Sequence, residues 1–171
     1  LADMTNKPPQ GYVVPSSGNR KCPAILDPDK YITTRVSTGA AGVTDAPFSL
    51  LSNNAMVISK NYDSGTAEWR VTDTVRGPGK FWSTCLGSGE ITSGELGLSA
   101  FTDHGFEVDP AAPEPWQGTR HDFIFRASPK AGFDVIGVID HVNGTPTTVA
   151  HNVGGVIDFA MVVPLDGGTI R

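Results

Sequence analysis

Cysteine, basic clusters and long apolar runs are what this chain of 171 residues has least of, and each shortage removes a class of protein. Cys22 and Cys85 are the only two cysteines. A secreted disulfide scaffold would carry more. Spacing alone does not decide whether these two pair, and such sparse usage favours free thiols. No CxxC or HxxxH spacing occurs, so no metal site and no cofactor is expected. Lys and Arg number 13 against 18 Asp and Glu, for a net charge of −5. No basic run is longer than Arg20-Lys21. Nucleic-acid binding needs a clustered basic face, so no nucleic-acid partner is expected. No apolar stretch approaches the roughly 18 residues that span a bilayer, so no membrane insertion is expected. Residues 1–4 lack the basic-then-apolar pattern of a signal peptide. The chain begins with Leu1 rather than Met and reads as a processed form or a piece of something longer. No long segment carries the i, i+3, i+4, i+7 stripe of an amphipathic helix.

What is abundant is punctuation. Gly contributes 20 residues and Pro 13, well above the roughly 12% combined share of ordinary domains. Hydrophobic residues still make up 39%, enough for a core. Many turns with adequate apolar content point to short strands. Residues 1–29, with Lys7-Pro8-Pro9-Gln10-Gly11 and Val14-Pro15-Ser16-Ser17-Gly18, read as an extended arm or linker. From Tyr31 onward β-branched and aromatic residues predict strands at 31–38, 55–60, 67–75, 80–86 and 121–126. Within 67–75, Ala67, Trp69, Val71 and Val75 share one face, with Asp73 as its polar break. Residues 98–101 and 105–108 flank the turn Thr102-Asp103-His104 and predict a hairpin. Residues 133–139 and 157–163 are apolar and read as two further strands. A short helix over 90–100 is weakened by Gly94 and Gly97.

There is an internal echo. Tyr31-Ile32-Thr33-Thr34 with Val36 and, later, Ala55-Met56-Val57-Ile58 form one copy. Phe133-Asp134-Val135-Ile136 with Val138 and, later, Ala160-Met161-Val162-Val163 form another. The pair describes either a repeating modular unit or two similar edges of one sandwich. The second reading is the plainer one. The expected domains are thus an arm at 1–29 and an antiparallel β-sandwich at 30–171 with long Gly/Pro-rich loops. The alternative adds a following repeat from about residue 133.

Residues that could carry chemistry are few. Asp103-His104, His121-Asp122 and Asp140-His141 are adjacent pairs, but neighbours in a strand face opposite sides and make a poor dyad. No GxSxG elbow occurs. Gly77-Pro78-Gly79-Lys80 lacks the framing of a phosphate loop and reads as a tight turn, with Arg76 available to Asp73. Glycoside hydrolysis needs two carboxylates at a set separation, and among 18 acids no pair stands out. No catalytic residue is therefore expected. Trp69 and Trp82 lie in strands and are expected in the core. Trp116 follows Pro110, Pro113 and Pro115 in a loop, where an indole can stack on a sugar ring or pack on the sandwich. Trp116 is the one candidate binding residue.

Several blocks resemble a β-rich domain of tailed-phage tail proteins. They are residues 31–39, Met56-Val57-Ile58-Ser59-Lys60, and Asp73-Thr74-Val75-Arg76-Gly77-Pro78-Gly79-Lys80, the most specific of the set. Residues 98–108 are similar to the family's SF-x-x-DGF hairpin, with His104 where the family has Asp. Residues 121–126 and 130–136 resemble its aromatic strand and the start of a following repeat. His151-Asn152-Val153-Gly154 and Phe159-Ala160-Met161-Val162-Val163 look like its PHxLG…P-x-MIIVK ending, with Val163-Pro164 in place of Val-Lys. Asn53-Asn54 replaces a Pro-containing lead-in. The match runs in order over about residues 28–165. It implies a non-enzymatic virion structural module of a tail fibre or surface appendage, with a homo-oligomer and other virion proteins as partners. Host attachment through a surface glycan is the alternative, and a polysaccharide-degrading enzyme the weakest reading.

Overall fold

Strands form where β-branched and aromatic residues concentrate between Gly, Asn and Pro turns. The computed structural model describes residues 25–39, 42–84, 89–92, 97–112, 116–137, 139 and 145–165. Among them are β1 (Ile32–Thr38), β2 (Gly42–Asp45), β3 (Ala55–Asn61), β4 (Arg70–Asp73) and β5 (Lys80–Ser83). β6 (Ile91–Thr92), β7 (Leu98–Thr102), β8 (Gly105–Val108) and β9 (Thr119–Arg126) complete the set, and a 3-10 turn at Pro28–Lys30 precedes β1. The fold is all-β, as composition and strand pattern indicate.

The strands make two antiparallel sheets. One has the order β1-β9-β3-β4-β5-β6 and the other β2-β8-β7. β9 comes last in sequence yet lies between β1 and β3. Ile124 pairs with Thr33 on one side and Val57 on the other. The larger sheet therefore closes only after a long excursion through the smaller one. β7 and β8 are the expected hairpin, with Phe101 opposite Phe106.

The core lies between the sheets. Side chains alternate faces along a strand. In β3 that alternation buries Ala55, Val57, Ser59 and Asn61 while Met56, Ile58 and Lys60 stay half-buried. Ala55, Val57 and Ile124 meet Leu98, Phe106 and Val108 of the smaller sheet, and Ala46, Phe48, Leu50, Ala112 and Trp116 close the sides. Each large apolar side chain so buried contributes about 1.5–3 kcal/mol. At Gly105 (φ +133°) strands β8 and β2 of the smaller sheet touch: a Cβ there would lie 1.8 Å from the Thr44 carbonyl oxygen. Only glycine fits.

Further along β3 and β9 the inward rows turn polar. Asn61 lies beside Arg120, and Ser59 beside Asp122. Arg120 is 2% exposed and Asp122 is fully buried. The Arg120 Nε–H donates to both Asp122 oxygens at 2.8 and 2.9 Å, Nη1 to the Trp116 carbonyl and Nη2 to Thr44 Oγ1. The Ser59 hydroxyl donates to Asp122 Oδ1 at 2.6 Å. At the sandwich margin, Arg35 donates from Nε to the Asp45 carbonyl and from Nη1 to the Thr34 carbonyl. It spans β1 and β2 and covers acceptors that an open sheet edge would otherwise present.

The Asp73 to Lys80 stretch is a turn between β4 and β5, as its Gly-Pro-Gly content indicates. Asp73 Oδ1 accepts from the Val75 and Arg76 backbone N–H groups, and its Oδ2 accepts from Arg76 Nε. The pair is buried, with side chains 8% and 9% exposed, rather than solvated. Asp73 is thus buried where a polar break had suggested incomplete cover, because Arg76 and the turn amides compensate its charge.

Three expectations change. Among the described residues no helix occupies 90–100: β6 and the start of β7 stand there, consistent with the two glycines. β2 stands at Gly42–Asp45, between the strands expected at 31–38 and 55–60, where none was expected. Third, the described residues of 133–139 and 157–163 carry no strand beyond a single Ser128–Phe133 bridge. A strand needs a ladder of bonded neighbours, and among the described residues here only isolated bonds occur, such as Asn54 Nδ2 to the Val135 carbonyl. Residues 1–24, most of the expected arm, lie outside the described residues, as do Cys22, Cys85 and His141.

Candidate interaction surface

The outward row of β9 departs from the usual alternation of a half-solvated sheet. Arg120, Asp122 and Ile124 face in, so His121, Phe123 and Phe125 face out. That face should be polar if water were its only neighbour. It carries three rings instead. The His121 and Phe123 rings stack with centroids 4.5 Å apart at 26°. Tyr62, just after β3, continues the row at 5.8 Å from His121, and its hydroxyl shares a 2.9 Å hydrogen bond with His121 Nδ1. Trp69 approaches Phe123 at 6.0 Å, and Phe125 meets Phe133 at 5.7 Å.

The row is open along its flank. Val36, paired with His121 in the adjacent β1, is 64% exposed, Tyr62 is 58% exposed and Ile32 is 39% exposed. Beyond Phe125 an apolar groove of about 310 Å³ runs between the Pro28 turn and the 131–133 turn, lined by Ile25, Tyr31, Ile32, Phe125 and Phe133. Ring faces and aliphatic flanks of this kind accept an apolar side chain or the C–H face of a sugar. His121 and Asp122 point to opposite sides of the sheet, so they do not form a dyad.

A second concavity, of about 260 Å³, opens between β1 and β2 with Ser37, Thr44 and Arg120 in its lining. Its one buried cation already serves Asp122, Trp116 and Thr44, which leaves little charge to offer a ligand. Burial lowers the pKa of the Arg70 guanidinium below its ordinary value, and Glu68 pulls it back up. Arg70 stacks 4.1 Å over Phe81. Among the described residues no three His, Cys, Asp or Glu side chains gather as a metal site, and no helix is long and apolar enough to cross a membrane.

Trp116 is not at this surface. Its side chain is 1% exposed, the Arg120 guanidinium lies 5.3 Å from the ring, and Gly97 lies against the indole edge. A ring held in that way cannot stack on a sugar, so Trp116 is a core residue and the expectation of a binding indole is corrected. Proline-rich flanks had suggested exposure, yet burial of a large ring outweighs the loop's polarity. Trp82 is buried, as its strand position suggested, while Trp69 is half-buried. His104 is exposed in the β7–β8 turn, and His151 lies in the 145–165 segment. The residues that sequence reasoning missed are Tyr62, His121 and Phe123. Their signal was the unbroken run His121-Asp122-Phe123-Ile124-Phe125, which puts aromatic rings on the face opposite Ile124. No family model, curated protein or solved structure matches the chain.

Proposed function

We propose that the chain is a non-catalytic structural module that works by binding apolar surfaces of its neighbours. The observation that supports it best is the outward face of the larger sheet. There Tyr62, His121 and Phe123 form a ring row beside exposed Val36 and Ile32. Contiguous exposed apolar patches mark interaction sites. The resemblance centred on residues 73–80 suggests the setting: a virion appendage such as a tail fibre, assembled from copies of this chain with other virion proteins.

Size-exclusion chromatography with light scattering tests this reading. Self-association is expected at high concentration and should be lost in Val36→Lys, which places a charge beside His121 without touching the core. A wild-type chain that stays monomeric would sink the self-assembly part.

A second reading uses the same row as a platform for a surface glycan. Tyr62 favours it, because its exposed ring carries a polar hydroxyl at one end. On a glycan array, binding that falls in both Tyr62→Ala and Phe123→Ala supports it. Binding unchanged in both variants removes it.

A further inference from the structure

β1 belongs to the larger sheet and β2 to the smaller, so the chain crosses the sandwich between them. Where the two strands part, the open side of the sandwich carries the concavity of about 260 Å³. Its floor is made by inward-facing residues. Ser37 lies opposite Arg120 in the β1–β9 ladder, and its hydroxyl reaches Thr44 of β2. Part of the rim is bare, since Gly39 and Gly42 have nothing within 4 Å of where a Cβ would stand. Val36 and Val43, 64% and 57% exposed, flank the mouth.

The hydrogen bonds of this floor do not close among themselves. The Ser37 and Thr44 hydroxyls are 3.2 Å apart and share one hydrogen bond. Each hydroxyl brings one proton, and that bond uses only one of the pair whichever oxygen donates. The remaining proton cannot go to Arg120, because a guanidinium only donates and its Nη2 already gives a hydrogen bond to Thr44 Oγ1. Among the described residues neither hydroxyl meets another acceptor. Of the five N–H donors of Arg120, Nε–H serves Asp122, one on Nη1 the Trp116 carbonyl and one on Nη2 Thr44. Two are left without an acceptor among the described residues, one of them on the nitrogen that meets Thr44. Arg120 is 2% exposed, so these donors have little bulk water to turn to. A buried donor without an acceptor carries its full desolvation cost.

The pocket is therefore rich in donors without being rich in charge. Asp122 lies 2.8 Å from Arg120 Nε and cancels the guanidinium. An anion placed here would meet a buried carboxylate just behind the cation. Neutral oxygen acceptors fit better. A sugar supplies them as hydroxyls, each of which also donates, with C–H faces between them for the Val36 and Val43 methyls. The volume equals the share of about eight or nine waters in the liquid, which is room for one sugar unit. Apolar walls around a few convergent polar groups are what small-ligand sites have in common.

We propose that the cleft between β1 and β2 binds one neutral sugar unit, whose oxygens accept from the Ser37–Thr44 hydroxyl pair and from Arg120. Its polar floor faces inward from β1, whereas the ring row of Tyr62, His121 and Phe123 faces outward. The proposal does not depend on self-association or on the row as a glycan platform.

Titrating the isotope-labelled full chain with methyl glycosides, followed by NMR, tests it. The neutral probes are the glycosides of glucose, galactose, mannose and N-acetylglucosamine, and the charged probe is that of glucuronic acid. At least one neutral glycoside should bind at millimolar concentration and move the amides of residues 36–39 and 42–44 and the Arg120 Nε–H signal. Ser37→Ala removes a half-buried hydroxyl whose one side-chain bond is to Thr44, so the sandwich stays intact, and binding should weaken by about threefold to tenfold. Ser37→Thr, which keeps the hydroxyl, should bind as wild type does. Neutral glycosides that leave these signals still, a glucuronide that binds more tightly than they do, or undiminished binding by Ser37→Ala would each overturn the proposal. Shifts confined to Tyr62 and Phe123 would defeat it and favour the ring row as the glycan platform. Pocket shifts that persist in Tyr62→Ala and Phe123→Ala, with array binding unchanged in both, would defeat the platform and leave the pocket standing.

Discussion

Removing the Asp122 carboxylate should cost this fold more than removing any surface charge. Asp122 is fully buried and accepts both Arg120 Nε contacts and the Ser59 hydroxyl. Asp122→Ala leaves the Arg120 guanidinium 2% exposed, with only the Trp116 carbonyl and the Thr44 hydroxyl as partners. Breaking one half of a buried ion pair costs about 3–5 kcal/mol. Domains have about 5–15 kcal/mol in all, so this is a large share. Asp122→Asn keeps the shape and an acceptor for Ser59 but loses the charge, and should cost about 1.5–3 kcal/mol. The double variant Arg120→Leu/Asp122→Leu removes both charges together and should recover most of the loss, since apolar replacement of a buried pair is often neutral. Urea unfolding followed by tryptophan fluorescence reads all three, because Trp116 adjoins Arg120. With a slope of about 2 kcal/mol per molar, the midpoint of Asp122→Ala should fall by about 2 M. A fall under about 0.5 M, or a double variant no better than Asp122→Ala, would refute the argument.

Trp116→Ala should destabilise by about 3–5 kcal/mol, read by thermal unfolding, and should leave any glycan binding by the folded fraction intact. Gly105→Ala should prevent folding or cost more than a core cavity, because its Cβ would collide with the Thr44 carbonyl; circular dichroism and solubility check this. Arg76→Met keeps the buried stem but strands Asp73. Its stability should fall by about 2–4 kcal/mol, read by urea unfolding.

The parts legible in the sequence were those governed by local chemistry. The β7–β8 hairpin follows from two apolar pairs around Thr102-Asp103-His104, and the β4–β5 turn from Gly77-Pro78-Gly79. β2 was hidden because its pairing with β8 is non-local and its own four residues include Gly42 and Asp45. Trp116 was misread because a proline-rich stretch suggests water, whereas Gly97 and Arg120, distant or ambiguous in sequence, form its pocket. The ring row was readable in principle: rings at 121, 123 and 125 on one face with Ile124 on the other imply a sheet with two apolar sides. The apolar run at 157–163 looked like a strand and has strand composition. Composition alone does not give a strand its neighbour.

Arg35 has a consequence for how copies of this chain can join. With its guanidinium spread over the Thr34 and Asp45 carbonyls, the β1 margin is a poor template for lateral accretion of further strands. Under the proposed self-association, contacts between folded copies would then fall to ring and aliphatic faces rather than to main-chain ladders. Contacts of that kind loosen on cooling, because the driving force for apolar burial fades as temperature falls. An assembly built through this sheet face would be cold-labile, and chilling would dissociate it while each sandwich stayed folded.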